Sequence, residues 1–375
     1  MTLLALISRF VRGTLLKYET LALVFALLFL YGYVFHRDHI LRSVFRRTLM
    51  HTDTGPGPPV FTRLPGGSKG GSSNARSTGN GNLRYFREPW EDNDEVEHWE
   101  LRKDNVAVYA IQGRRPGMED RFDYATGERD GLTEKFYGIY DGHGGEFAAE
   151  FTEKLLSQAV LARLATAKRR DLPVNHSRIL IEEILAVDEK FLTVAKSNLD
   201  MAGSTVLVAL VTDSDVIVAN VGDSRGVMCD HKGKTVPLSY DHKPQHQQER
   251  KRIKKAGGFI TFNGVWRVAG ILATSRAIGD YPLKDLKFVV ADPDILTFDI
   301  EEHDPQFLIL ATDGLWDTFT NEEAVQYVKE RLGEPHFGAK SLVLQAFYRG
   351  SMDNISVMVI NFRGQHLNGN ATNVQ

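Results

Sequence analysis

The sequence predicts an α+β fold built on antiparallel sheet, and two observations support this. Strand-like runs follow one another directly along the chain, as residues 204–212 and 215–221 do, which is typical of antiparallel neighbours. Segments with helical spacing stand between groups of strands and do not follow every strand, so a regular βαβ fold is disfavoured.

The individual elements follow from hydrophobic periodicity and turn residues. Strands are predicted where β-branched and aromatic residues dominate, at 106–112, 204–212, 215–221 and 306–311. Asn263-Gly264 separates two short β-prone runs within 259–268, which predicts a hairpin. Helices are predicted from apolar spacing at 146–165, 176–197 and 321–332. Asn321, followed by Glu322 and Glu323, suits a helix start.

Composition sets broad limits on function. The chain has 375 residues, 42% of them hydrophobic and 25% charged, which suffices for one large domain or two ordinary ones. The net charge of −3 does not suggest a nucleic-acid binder, which would usually carry a basic excess. Cys229 is the only cysteine, so no intrachain disulfide can form, and a reducing compartment is favoured.

The N-terminal 50 residues read as a membrane anchor with its flanks. Residues 20–35 carry no charge, and extension back to Leu15 gives a helix of about 30 Å, the thickness of a hydrocarbon core. We therefore expect a single span at about 15–35. A signal peptide and a buried helix remain alternatives, although no small-x-small cleavage site follows Phe35. Arginines flank both ends, with a slight excess after the span that favours a cytosolic C-terminal side.

Three further regions follow the anchor. Residues 51–90 are rich in Gly, Ser and Pro without periodicity, which predicts a flexible linker. Residues 91–363 form the predicted catalytic body, and 364–375 a frayed tail.

Acidic residues recur at the ends of apolar runs in the body. They are Glu119, Asp120, Asp141, Asp223, Asp313, Asp317 and Asp353. Any one of them could be a simple turn or cap residue. As a set they are oxygen ligands without a Cys or His cluster, which suits Mg²⁺ or Mn²⁺ and not zinc. Spacing alone does not establish that residues 141, 313 and 353 meet in space.

Two basic side chains stand beside these acids. His143 lies in DGHGG (141–145), where it could protonate a leaving oxygen, although most histidines are structural or exposed. Arg115 could bind a phosphate with its guanidinium fork, and the alternative is that Arg114 and Arg115 are a solvated pair.

Eight ordered motifs resemble the metal-dependent Ser/Thr protein phosphatases of type 2C. They are GRRPGMEDRF (113–122), YDGHGGEFAA (140–149), GSTVLVALV (203–211), VANVGDSRGV (218–227), DHKP (241–244), SRAIGDYPLK (275–284), ATDGLWD (311–317) and DNISVMVI (353–360). The resemblance covers residues 103–363 and implies a central β-sandwich of two antiparallel sheets flanked by helices. It also implies that residues 245–290 border the active site as a flap.

The resemblance also implies a role for each matching residue. Asp141 would bridge two ions, the Gly142 carbonyl would bind one of them, and Asp313 and Asp353 would bind the other. Glu119 and Asp120 would orient metal-bound water, whereas Asp223 and Asp317 match the acids of a weaker third site. Arg115 would bind the substrate phosphate and His143 would be the general acid. The cofactors implied are two Mg²⁺ or Mn²⁺ ions, whose bridging water attacks phosphorus without a phosphoenzyme.

The function expected from sequence and resemblance together is a membrane-anchored phosphatase of phosphoserine and phosphothreonine in proteins. The flanking charges and the cysteine content favour a cytosolic catalytic domain, which we expect to be monomeric. The resemblance implies the endoplasmic reticulum membrane as its site and negative regulation of stress-activated kinases. No nucleic-acid partner is expected. An inactive scaffold relative would be expected to lack metal aspartates, and none is missing here. A nuclease is disfavoured because no basic-aromatic stripe is present.

Overall fold

The computed structural model describes residues 98–363 except 130, 131, 171 and 172. The strands are β1 His98–Lys103, β2 Val106–Ile111, β3 Arg121–Arg129, β4 Leu132–Tyr140, β5 Gly142–His143, β6 Gly203–Ser204, β7 Val206–Val211, β8 Asp215–Val221, β9 Arg225–Cys229, β10 Thr235–Pro237, β11 Ile260–Asn263, β12 Val265–Val268, β13 Ile278–Gly279, β14 Asp294–Asp299, β15 Phe307–Ala311 and β16 Ile355–Asn361. The helices are α1 Phe147–Arg169, α2 His176–Asn198, α3 Gln247–Lys255, α4 Tyr281–Asp285, α5 Ile300–His303, α6 Asp313–Trp316, α7 Asn321–Lys329 and α8 Ala339–Tyr348.

Two large antiparallel sheets form the centre of the molecule. One has the strand order β1-β2-β16-β15-β9-β10 and the other β14-β8-β7-β4-β3. Apolar side chains of both sheets share one buried cluster, in which Val108 and Met358 of the first sheet meet Ile139 and Ala209 of the second. The sheets therefore pack face to face, as a sandwich requires.

Helices cover the outer face of each sheet. Leu156 of α1 and Phe191 of α2 pack in a buried cluster with Val208 of β7. On the other side, Val325 of α7 and Leu342 of α8 pack with Val357 of β16. The predicted α+β fold, with antiparallel sheets flanked by helices, is confirmed.

The helix predicted at 321–332 forms over Asn321–Lys329 and begins at the predicted residue. Thr320 is the N-cap, and its hydroxyl accepts a hydrogen bond from the Glu323 backbone, while the Glu323 side chain accepts one from the Thr320 backbone. This reciprocal capping box places Asn321 in the first turn. The predicted helix start at Asn321 is therefore confirmed, and Thr320, the residue before it, supplies the capping oxygen.

Three predicted regions lie outside the described residues: the membrane span at 15–35, the linker at 51–90 and the tail at 364–375. No helix within the described part of the body is both long enough and apolar enough to cross a bilayer.

Candidate active site

Strand ends bring five acidic side chains into one group, which we call the carboxylate cluster. Its members are Asp120, Asp141, Asp223, Asp313 and Asp353. Burial, and then the negative charges of the other four, raise the pKa of Asp141 well above its ordinary value. Because charge–charge interactions weaken with distance, this coupling places all five close together. The structure thus unites residues that are far apart in sequence.

Asp120 is the most deeply buried member of the cluster, at 1% exposure. Its Oδ2 accepts hydrogen bonds from Ser356 Oγ at 2.7 Å and Thr312 Oγ1 at 3.0 Å. Burial raises the pKa of Asp120 to about 7, although both hydroxyl groups act in the opposite direction. The two donors fix the carboxyl group at the start of β3.

The segment Asp141-Gly142 is held in place by backbone contacts. The Asp141 amide donates to Thr205 Oγ1 at 3.0 Å, and the Thr205 amide donates to the Asp141 carbonyl at 2.9 Å. A β-carbon on Gly142 would lie 2.4 Å from the Glu119 carbonyl oxygen. Glycine is therefore required for this close approach of two backbone segments.

Glu119 borders the cluster through both its backbone and its side chain. Its amide donates to Asn354 Oδ1 at 2.8 Å, which ties the segment before β3 to the one before β16. Burial raises the pKa of the Glu119 carboxyl group, while the nearby charges of His143 and Arg115 act to lower it. Glu119 thus lies close enough to His143 and Arg115 to interact electrostatically with both.

His143 is paired with Asp280, a residue to which the sequence reading gave no role. The distance from His143 Nε2 to Asp280 Oδ2 is 2.8 Å. Burial acts to lower the pKa of His143, but the Asp280 carboxylate, together with the charges of Asp223 and Glu119, outweighs it and the net effect raises this pKa. The SRAIGD motif (275–280) contains Asp280, but only the folded chain reveals its partner.

The two adjacent arginines have separate environments. Arg114 stacks on the Phe347 ring at 4.0 Å and donates to the backbone carbonyls of Phe347 and Ser351, so it has a structural role. Arg115 is 50% exposed, and its Nη2 lies 2.5 Å from Asp353 Oδ2. The two therefore do not form a solvated pair. The exposed guanidinium of Arg115 stands beside the carboxylate cluster.

Lys243 is a cation within the cluster that sequence reasoning did not assign, although it lies in the noted DHKP motif. Its Nζ is 2.5 Å from Asp223 Oδ2 and 3.8 Å from Asp313 Oδ2. Burial raises the pKa of Asp317, the Lys243 charge acts to lower it, and the Asp223 charge acts to raise it. Asp223, Asp317 and Lys243 therefore form a connected part of the site.

The chemistry of the cluster suits divalent cations. Its side-chain donors are carboxylate oxygens, and Mg²⁺ and Mn²⁺ prefer such ligands. Burial, and then repulsion among the aspartates, raises the pKa of Asp141 and of Asp313, and added positive charge would relieve that repulsion. Within residues 98–363, as far as they are described, no three His, Cys, Asp or Glu side chains already have ligand geometry. Arg115 and Lys243 instead pair with Asp353 and Asp223.

Comparison with known proteins gives a consistent result. The family described as Protein phosphatase 2C matches residues 104–355. The chain is 47% identical over 365 residues to Protein phosphatase 1L of Bos taurus, covering 97% of this chain and 96% of the relative. It is 42% identical over 265 residues to Probable protein phosphatase 2C 59 of Oryza sativa subsp. japonica, covering 70% of this chain and 78% of the relative.

Solved structures show the same fold. A serine-threonine phosphatase 2C from Toxoplasma gondii superposes with a TM-score of 0.61 at 24% identity, covering 71% of this chain and 98% of that one. A sex determining protein of C. elegans gives a TM-score of 0.61 at 25% identity, covering 68% and 64% of the two chains.

Proposed function

Since the chain belongs to the protein phosphatase 2C family and is a metal-dependent protein serine/threonine phosphatase, we propose that the carboxylate cluster is its catalytic centre. The observation that supports this most directly is that strand ends group Asp141 with four other aspartates, where burial and their charges raise its pKa. Perturbed carboxyl groups of this kind are typical of active sites. The 2.8 Å pair of His143 and Asp280 lies beside them.

We assign the metal ligands as follows. Two divalent ions, Mg²⁺ or Mn²⁺, bound by Asp141, the Gly142 carbonyl, Asp313 and Asp353, would offset the carboxylate charge and make the attacking water more acidic. Glu119 and Asp120 would orient water in this site. Asp223 and Asp317 would supply a third, weaker position, where Lys243 already neutralises part of the charge.

The remaining residues bind substrate and move the proton. The Arg115 guanidinium binds the equatorial phosphate oxygens, exchanging its contact with Asp353 for one with substrate. Water attacks phosphorus in line, a new P–O bond forms and the bond to the serine or threonine oxygen breaks. His143 gives the leaving oxygen a proton from Nδ1, since Asp280 engages Nε2. The products are inorganic phosphate and a protein hydroxyl group, and the proton lost by water returns to His143 through solvent.

No covalent intermediate is needed in this scheme. Cys229 is fully buried on β9, and burial raises the pKa of its thiol, which disfavours a nucleophilic thiolate.

The full chain tests this function in a phosphate-release assay with a phosphothreonine peptide. Release is expected with Mn²⁺ or Mg²⁺ and is expected to stop with EDTA. A folded chain that releases no phosphate with either metal would refute the proposal and favour a binding role. Parallel incubation with single-stranded DNA and RNA distinguishes a nuclease, which we expect to be excluded.

We further propose that residues 15–35 anchor the enzyme in a membrane, with body 91–363 on the cytosolic side. Support comes from the uncharged run at residues 20–35 and from the similarity to Protein phosphatase 1L, which extends over 97% of this chain. Flotation of the full chain with pure phosphatidylcholine vesicles tests this anchor, and deletion of residues 1–50 should abolish flotation. Flotation that survives the deletion would contradict it.

We propose phosphoproteins near that membrane as substrates, with stress-activated kinases as candidates and the endoplasmic reticulum as the site. These assignments follow from the family resemblance. Cells that produce the wild-type chain or Asp141→Ala should differ in phosphoserine and phosphothreonine levels of membrane-associated proteins. Equal phosphorylation of the candidate kinases in both would remove them as substrates.

A further inference from the structure

Exposed apolar side chains are concentrated in one part of the body. Of the large hydrophobic side chains that are exposed in the described residues, half lie between residues 259 and 286. They are Phe259, Phe262, Val265, Trp266, Ile271 and Leu286. A concentration of this kind, unlike scattered single residues, marks an interaction surface.

The hairpin of β11 and β12 exposes apolar groups on both of its faces. Phe262 lies opposite Trp266, and their ring centroids are 5.3 Å apart. Val265 projects to the other face, because neighbouring residues of a strand alternate in direction. The exposures are 62% for Phe262, 36% for Trp266 and 48% for Val265. The surface of a bilayer can cover both faces of such a hairpin at once.

A basic helix accompanies the hairpin. Arg250, Lys251, Lys254 and Lys255 are exposed on α3. Residues 243–290 contain ten Lys and Arg but three Asp and Glu, in a chain whose net charge is −3. Within this region Glu249 is buried and paired with Arg276.

Helix α3 and the hairpin form one structural unit. Ile253 of α3 and Val268 of β12 share a buried cluster, against which Ile260 of β11 packs. The basic and the aromatic surfaces are therefore adjacent. Aromatic side chains beside exposed Lys and Arg are the chemistry that binds an anionic bilayer surface.

We propose that α3 and the hairpin 260–268 form a lipid-contacting surface that docks the catalytic body on an anionic bilayer. This inference rests on the proposed membrane anchor. The linker predicted at 51–90 lies between the predicted span and β1, and a flexible chain of its 40 residues would have a root-mean-square extension of about 35 Å. Such a tether keeps the body close enough to the bilayer for a weak contact to be occupied.

An environment-sensitive fluorophore on the hairpin tests the contact. Val265→Cys in the full chain is labelled with a nitrobenzoxadiazole maleimide and reconstituted into vesicles. The native Cys229 is buried, so the labelled wild-type chain measures the background. We expect a shift to shorter wavelength and protection from aqueous iodide in phosphatidylserine vesicles, but neither in pure phosphatidylcholine. In Lys251→Gln/Lys255→Gln the equilibrium constant for lipid contact should fall about fivefold for each charge removed.

The controls separate the competing outcomes. The same label at Asp213→Cys, an exposed turn between β7 and β8, should not shift. An equal shift there would overturn the proposal, because it would indicate non-specific adsorption. A shift produced by a phosphothreonine peptide but not by vesicles would assign the surface to protein docking instead. If the full chain does not float with vesicles, the proposed membrane anchor is refuted. Vesicles added to the labelled chain in solution then still test whether the hairpin contacts lipid.

Discussion

His143 and Asp280 are 137 residues apart in sequence, yet His143 Nε2 lies 2.8 Å from Asp280 Oδ2. The contact depends on Gly203, where a β-carbon would lie 2.1 Å from Asp280 Oδ2 and 2.3 Å from His143 Nε2. The carboxylate holds the imidazole ring of His143 through Nε2. We regard Asp280 as a positioning residue that acts on catalysis through His143.

Asp280→Asn should lower kcat for a phosphothreonine peptide by about 10²-fold, because the general acid loses its orienting charge. The KM should change little. p-Nitrophenyl phosphate has a leaving group that needs no proton, so its kcat should fall much less. Steady-state kinetics with both substrates measure this difference.

The matched control is Asp285→Asn, whose carboxylate is exposed and pairs with Lys196. Its kinetics should equal those of the wild type. Equal losses with both substrates in Asp280→Asn would indicate a general structural defect and contradict the positioning role.

Gly203→Ala should lower turnover without unfolding the chain, because the added methyl group would force His143 and Asp280 apart. We expect a loss similar to that of Asp280→Asn, with little further loss when the two are combined, since both remove one contact. Gly333→Ala is the control, since nothing lies within 4 Å of its β-carbon position. Fully additive losses would refute the shared mechanism.

Lys243→Gln should strengthen divalent-ion binding at Asp223 and Asp317, because it removes an ammonium group 2.5 Å from Asp223 Oδ2. Calorimetric titration with Mn²⁺ should show the weakest binding event tightened by at least about tenfold, or about 1.4 kcal/mol. Lys190→Gln, at an exposed position of α2, should leave the titration unchanged. Unchanged or weaker binding in Lys243→Gln would contradict this competition.

Glu249 should stabilise the body except in strong acid. Burial acts to raise its pKa, but hydrogen bonds and charge from Arg276, with contributions from Arg252 and Ser275, lower it from 4.5 to about 2. A carboxyl group with a depressed folded-state pKa contributes stability above its unfolded pKa, and that contribution is lost as pH falls through the folded value.

The contribution of Glu249 to the free energy of unfolding should therefore be complete above about pH 5. It should decline by about 3 kcal/mol in total as the pH falls from 4.5 to about 2. Denaturant unfolding of wild type and Glu249→Gln at several pH values measures it. The difference in the free energy of unfolding between wild type and Glu249→Gln should become smaller as the pH falls. Glu189→Gln, at an exposed position of α2, is the control. A difference between wild type and Glu249→Gln that stays constant down to pH 2 would contradict the stabilising role of the Glu249 carboxylate.

Local sequence signals predicted much of the fold. The hairpin at 259–268 and helices at 146–165 and 176–197 form within a few residues of their predicted bounds, because their turn residues and apolar periods are local. Helix α8 was not predicted. Its N-cap is Gly338 in a left-handed conformation, without a side-chain cap, so the usual start signal is absent.

The site was partly predictable for a related reason. Asp141 and Asp313 end recognisable apolar runs, so their position at strand ends was visible in the sequence. Asp280 and Lys243 gain significance only from partners that the fold brings to them, His143 and Asp223. Long-range ion pairs of this kind leave no periodic signal in a single sequence.

The most direct test of the central claim is to count bound Mn²⁺ and measure phosphate release in the same samples of wild-type chain, Asp141→Ala and the exposed control Asp213→Ala. We predict two tightly bound ions and metal-dependent release in wild type and control. Asp141→Ala should lose the ions and turnover while remaining folded by circular dichroism. An Asp141→Ala chain that keeps both ions and near wild-type release would show that the carboxylate cluster is not the catalytic metal centre.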